Sequence, residues 1–168
     1  MKSPLLVTGV FGMIYCDPSG AVEWRRDIDN GATIVGCDRM LRRMFLGASP
    51  DAGSGWKIGI IAGSGFSSVA PGDTHGSHPG WTEFSGYSGG VRKNWSPFAA
   101  TGGVMSGIGT QFDITSAGTV RGLLTASKAV IDLDPLAILW STAVAISNLT
   151  VASGGVLHVT YTTRIRNP

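Results

Sequence analysis

The chain has 168 residues, enough for one domain that buries a real core without disulfides or metals. Hydrophobic residues make up 43% and charged residues only 14%, with 25 glycines, a composition suited to short strands, tight turns and a surface partly covered by partners. The formal net charge of +2 excludes the concentrated basic stripe that nucleic-acid binding needs, and two cysteines do not make a disulfide framework.

Lys2 is followed by Leu5, Leu6, Val7, Val10, Phe11, Met13 and Ile14. Tyr15 stands where a signal peptide would need a small residue, and Gly9 and Gly12 interrupt a run already too short to span a bilayer. The segment therefore reads as a strand of a soluble, non-exported protein that makes no membrane contact. Residues 1–15 could also form an N-terminal arm that adds a strand to a neighbour's sheet edge. Asp17-Pro18-Ser19-Gly20 is a turn signal, and the alternation of Val22, Trp24 and Arg26 against Glu23 and Arg25 completes a β-hairpin. Cys16 and Cys37 read as reduced and buried.

Residues 38–46 read as the one short helix. Asp38 serves as its cap, Leu41, Met44 and Phe45 form an apolar face, and Gly47 ends it. Arg39, Arg42 and Arg43 read as a solvated helix face. A strand follows over 56–61. Residues 62–90 are rich in Gly, Ser, Pro and Thr and lack periodicity, which predicts a long ordered loop packed by its own aromatics. Further strands are expected over 91–95, 110–115, 119–127, 136–146 and 156–162, the last with Leu157, Val159 and Tyr161 on one face. Residues 136–146 could alternatively form a helix, but the neighbouring strands favour a strand. The pattern predicts a single all-β domain over 1–168, an antiparallel, jelly-roll-like β-sandwich with the helix plugging one end.

Asp73-Thr74-His75-Gly76-Ser77-His78 holds two histidines and a carboxylate. The i, i+3 histidine spacing suits a helix, which Gly76, Pro79 and Gly80 oppose, and His158 is distant in sequence. The expectation is that Asp73 and His78 bond backbone groups and fix the loop; a metal-dependent hydrolase using Asp73, His75 and His78 is the remote alternative. Ser77 with His78 and Asp73 has the residue types of a catalytic triad, but neighbours in sequence rarely reach triad geometry. No catalytic residue, cofactor or metal is therefore assigned. Trp81, Phe84, Tyr87, Trp95 and Phe98 cluster within a short span, suited to packing the loop, to an interface or to stacking a ligand. Arg92 and Glu83 are placed to pair at an exposed position. Trp81, Glu83, Phe84, Tyr87, Arg92 and Trp95 are thus the interface or loop-anchoring candidates.

Ile58-Gly59-Ile60-Ile61, then Gly72-Asp73-Thr74, Ser77-His78-Pro79-Gly80-Trp81-Thr82-Glu83, Tyr87, Arg92 and Trp95 resemble a family of small tailed-phage virion structural proteins. The run Thr119 to Leu124, Leu139-Trp140-Ser141-Thr142-Ala143 and the closing Gly155 to Thr162 extend the resemblance over most of the chain. The chain departs from the family pattern at His75 and over residues 130–135, where a Gly-Thr-rich turn is expected. The resemblance implies a non-enzymatic capsid cement (decoration) protein on the virion exterior, assembled in the host cytoplasm. Its implied partners are the major capsid protein and neighbouring copies of itself, as a dimer or trimer. The alternative implied is a tail or fibre-attachment protein that binds the host.

Overall fold

The computed structural model describes residues 6–46 and 55–166. Among these residues nine strands form one antiparallel, curled sheet in a half-barrel, with a single helix. The strands are β1 (Leu6–Cys16), β2 (Val22–Ala32), β3 (Lys57–Ala62), β4 (Lys93–Asn94), β5 (Val104–Ser106), β6 (Thr110–Asp113), β7 (Gly118–Ala126), β8 (Leu139–Val151) and β9 (Val156–Arg166), and the helix α1 is Ile34–Leu46. Their order is β4-β3-β7-β8-β2-β1-β9-β5, with β6 on the same edge of β9 as β5. The two ends of the sheet approach each other: Tyr87 bridges Ile114, and the Thr110 hydroxyl donates to the Asn94 carbonyl at 3.0 Å.

The expected hairpin forms, with β1 pairing β2 from Thr8↔Gly31 to Cys16↔Val22. Its turn is held by the Asp17 carboxylate, which accepts from the Ser19 and Ala21 amides at 2.9 and 3.0 Å. The other edge of β1 pairs β9 from Leu6↔Arg166 to Cys16↔Val156. Residues 6–15 are therefore an interior strand of their own sheet, a position that leaves no edge to lend as an arm; residues 1–5 lie outside the described set. Residues 139–151 are a strand, and the helical alternative there does not occur.

Period-two alternation builds the inner core. Phe11, Met13 and Tyr15 of β1 point inward with Leu157, Val159 and Tyr161 of β9. Phe11 stacks on Tyr161 with ring centroids 4.3 Å apart. All six residues of β3 are buried, because β3 and β7 are covered on both faces. Ile58, Ile60 and Leu123 join the inner core, whereas Ile61, Leu124, Ala126 and Leu139 form a second cluster under Trp81. The long loop after β3 supplies that outer cover. β8 carries a wide bulge: Val120 pairs Leu149 and Gly122 pairs Val144, so Arg121 alone faces residues 145–148, and Ile146 at the crest is fully exposed.

The expectations for the helix start, the helix face, the strand over 91–95 and the cysteines need correction. The helix begins at Ile34, a full turn before the expected start, so Asp38 lies inside it. Thr33 is its cap: the hydroxyl accepts from the Gly36 amide at 3.0 Å and donates to the Leu139 carbonyl. Leu41, Met44 and Phe45 do not plug the core but are exposed by 48%, 64% and 74%. The helix instead docks through Gly36, where a Cβ would lie 2.6 Å from the Trp140 carbonyl oxygen. Gly47, the expected stop, lies outside the described residues. The strand expected over 91–95 shrinks to Lys93–Asn94, and β5 had no clear sequence signal. Cys16 and Cys37 are unpaired and half-buried rather than fully buried. Among the described residues no helix is long and apolar enough to cross a membrane.

Thr33→Val keeps the side-chain shape but removes both hydroxyl bonds. It should cost about 1–2 kcal/mol in urea unfolding, with an unchanged denaturant slope. An unchanged midpoint would show that the cap is dispensable.

Candidate functional site

Of the sequence-selected residues, Trp81, Glu83 and Arg92 lie on the outer face of β3 and β7, whereas Phe84, Tyr87 and Trp95 pack with the inner core. Gly59 lies at the centre of β3; a Cβ there would meet Glu83 Oε2 at 2.7 Å, Arg92 Cγ at 3.1 Å and Leu124 Cδ1 at 3.2 Å. The missing side chain lets an ion pair lie flat on the strand. Arg92 Nε donates to Glu83 Oε2 at 2.8 Å, and its Nη2 donates to Glu83 Oε1. The side chains are 1% and 2% exposed, so the expected pair forms but is buried rather than exposed. The bidentate fork fixes both partners in one geometry.

The remaining donors of Arg92 reach in two further directions. Nη1 donates to the Lys128 and Val130 carbonyls, each at 2.9 Å. It also donates to His75 Nε2 at 2.6 Å, which fixes His75 as the neutral tautomer with its proton on Nδ1. Burial, followed by the nearby Arg92 charge, holds the His75 pKa below the ordinary histidine value. The Arg92 amide adds a bond to the Ala129 carbonyl at 2.8 Å. One guanidinium thus joins the loop after β3 to the segment linking β7 and β8.

The upstream part of the loop is fixed by Asp73 and His78, which bond as expected. Asp73 Oδ2 accepts from the Ala70 amide at 2.9 Å and from Trp81 Nε1 at 2.8 Å. His78 Nδ1 donates to the Trp81 carbonyl at 2.9 Å, and its ring stacks on the indole at 3.7 Å. Tyr87 enters the inner core edge-on to Phe112, and Trp95 packs edge-on to Tyr161. Burial drives the Tyr87 phenol pKa upward, and its hydroxyl has no partner among the described residues. Phe84 is half-buried, filling the space left by Gly86 and Gly118. Trp81, Glu83, Tyr87, Arg92 and Trp95 thus anchor the loop with their side chains covered.

The triad residue types are not assembled. Asp73 is engaged by Trp81 rather than by His78, the His78 Nδ1 proton is committed to a carbonyl, and Ser77 bridges Thr74 through its backbone. Among the described residues no group of three or more His, Cys, Asp or Glu side chains is gathered for a metal.

The surface that sequence reasoning missed lies beside α1. A cavity of about 370 Å³ is floored by Trp56, Trp95 and Trp140 and walled by Met40, Met44 and Met105. Arg39, Arg43 and Arg164 also line it. The helical periodicity of Leu41, Met44 and Phe45 was visible in the sequence; nothing in it revealed that this face turns outward. Models of known protein families do not match the sequence, and no curated protein matches it.

Glu83→Leu alone strands a buried guanidinium and should cost about 3–5 kcal/mol, whereas Glu83→Leu with Arg92→Met should recover only the charge part of that loss, because the Lys128 and Val130 carbonyls then lose their donor. Chemical denaturation of both variants checks this, and equal losses would contradict a charge-based explanation. His75 adds a pH signature. Its folded-state pKa is depressed, so the unfolded chain binds the proton more readily as pH falls through about 6.5. Stability should therefore be full above that value, decline below it, and level off once the folded form also protonates. His75→Gln should flatten the decline in unfolding midpoints measured between pH 7 and 5.

Proposed function

We propose that the chain is a structural subunit of a tailed-phage virion. Its role is that of a capsid cement protein, bound to the outside of the major capsid lattice beside further copies of itself. The observation that carries this reading is the outward apolar surface of a chain that already has two filled cores. Ile34, Leu41, Met44, Phe45 and Leu46 stand exposed on one short helix, next to a tryptophan-floored cavity. Exposed apolar area concentrated in this way marks an interaction site.

The anchored loop supports the same reading. Its charged groups are bonded to one another and to backbone carbonyls, which suits a rigid platform more than a reaction centre. Few charges and a stiff sheet fit a subunit that presents several docking faces, and many weak contacts made at once give high avidity. The sandwich-like, jelly-roll description belongs to this proposal. The β3–β7–β8 and β1–β9–β6 arms of the curled sheet both contribute to one inner core, as the layers of a sandwich would.

Quantitative gel or mass-spectrometric analysis of purified particles tests the reading. A cement protein should approach the capsid protein in copy number and should rebind shells stripped of it. Confinement to tail or fibre fractions would replace the cement role with the attachment role. Absence from particles, or turnover of a substrate by the purified protein, would overturn the virion reading.

A further inference from the structure

The groove beside α1 has a definite chemical character. Its floor is indole and its wall is thioether, and among the described residues the exposed Arg43 and Arg164 also line it. An occupant that brings apolar side chains with carboxylates beside them complements this lining. Two α1 helices packed on a twofold axis would not, because Arg42 and Arg43 would face their own copies. A flat bilayer surface fits a concave site poorly.

The chain itself carries a segment of the required kind. The link between β7 and β8 reads Val130-Ile131-Asp132-Leu133-Asp134-Pro135-Leu136. Val130, Leu133 and Leu136 are exposed by 49%, 64% and 89%. Lys128 Nζ reaches Asp132 Oδ2 at 2.7 Å and Asp134 Oδ2 at 2.9 Å. Two carboxylates against one ammonium leave the segment net negative. None of its residues lines the groove of its own chain.

The loop is also held in shape. Asp134 Oδ1 accepts from the Leu136 amide at 2.8 Å, and Ser127 closes the base through the Ile138 amide and carbonyl at 2.8 and 2.9 Å. Arg92 holds the carbonyls of Lys128 and Val130 from below. A segment already ordered before contact loses less entropy on docking than a floppy one.

We propose that the groove beside α1 receives the 130–136 loop of a second copy of this chain, Leu133 and Leu136 entering the tryptophan floor and Asp132 and Asp134 facing Arg43 and Arg164. This names the self-contact of the assembly-subunit reading and rests on it, but its test needs no particle. The contact is complementary rather than like-to-like: each copy offers one loop and one groove.

The experiment uses the full-length protein, a groove variant Met44→Asp, and a loop variant carrying Leu133→Asp and Leu136→Asp. All three positions are exposed, and matching thermal midpoints verify that the variants fold. In sedimentation velocity the wild type should associate as concentration rises, and each variant alone should remain a single copy. Mixing the two variants should restore a pair, because one intact loop then meets one intact groove. A synthetic peptide of residues 128–138 should shift the tryptophan fluorescence of the wild type, and Met44→Asp should weaken that binding by roughly tenfold or more, since it places a carboxylate in an apolar site.

A wild type that stays single at every concentration and ignores the peptide overturns the proposal. So does a loop variant that associates as well as wild type, or a variant mixture that fails to pair. Binding of anionic phospholipid vesicles, lost in Met44→Asp while wild type remains single, would assign the groove to a membrane surface instead. Unchanged capsid attachment without self-association would sink this inference alone; absence from particles would sink the virion reading and leave this one standing.

Discussion

A guanidinium has five N–H donors and does not shed its charge at any ordinary pH, so burying one obliges the surrounding chain to supply acceptors in fixed directions. Arg92 sits under that obligation. Glu83 takes the Nε proton and one Nη2 proton, while His75 and the Lys128 and Val130 carbonyls share the two Nη1 protons. These partners come from three separate stretches of chain that have no ladder between them. Without the cation they have no shared reason to meet. The long segment after β3 is therefore ordered although it contains almost no regular secondary structure.

The geometry around this hub depends on small residues. Gly59 opens the strand surface so that the Arg92–Glu83 fork can lie against it, and Gly76 allows the histidine stretch to approach Pro135. His75 and the 130–135 stretch are held by the same Arg92 nitrogen, His75 through its ring and the second stretch through the Val130 carbonyl. The link from β7 to β8 consequently projects from a rigid base, with Ile131 packed on the inner core while Val130, Leu133 and Leu136 face water.

Most of the sheet was legible in the sequence because its strands alternate cleanly. Phe11, Met13 and Tyr15, or Leu157, Val159 and Tyr161, declare their inward face by period alone. Asp17-Pro18-Ser19-Gly20 declares its turn by conformational preference. The helix start was missed because Thr33 follows a strand directly and its capping role depends on a tertiary contact with Leu139. The helix orientation was missed because periodicity identifies an apolar face but not whether anything within the same chain covers it. The burial of the Glu83–Arg92 pair was equally hidden: residue types announce a salt bridge, whereas its depth is set by how the loop drapes over Gly59. The single curled sheet follows from strand order, which local patterns do not encode.

The pairing of β1 with β9 along their full lengths has a consequence for how the protein is made. β1 leaves the ribosome before β9 and holds one of its two neighbours only after β9 has emerged. Until then Phe11, Met13 and Tyr15 lack the β9 side of their core, and the nascent polypeptide must be kept from sticking to others by its polar alternate residues or by chaperones. Closure is a late, long-range event of the slow kind. The same pairing sets Leu6 beside Arg166, so the start of β1 and the end of β9 lie next to each other. A short linker could join them, and a new start cut into an exposed turn such as Pro18-Ser19-Gly20 would yield a permuted chain in which β1 and β9 are made together.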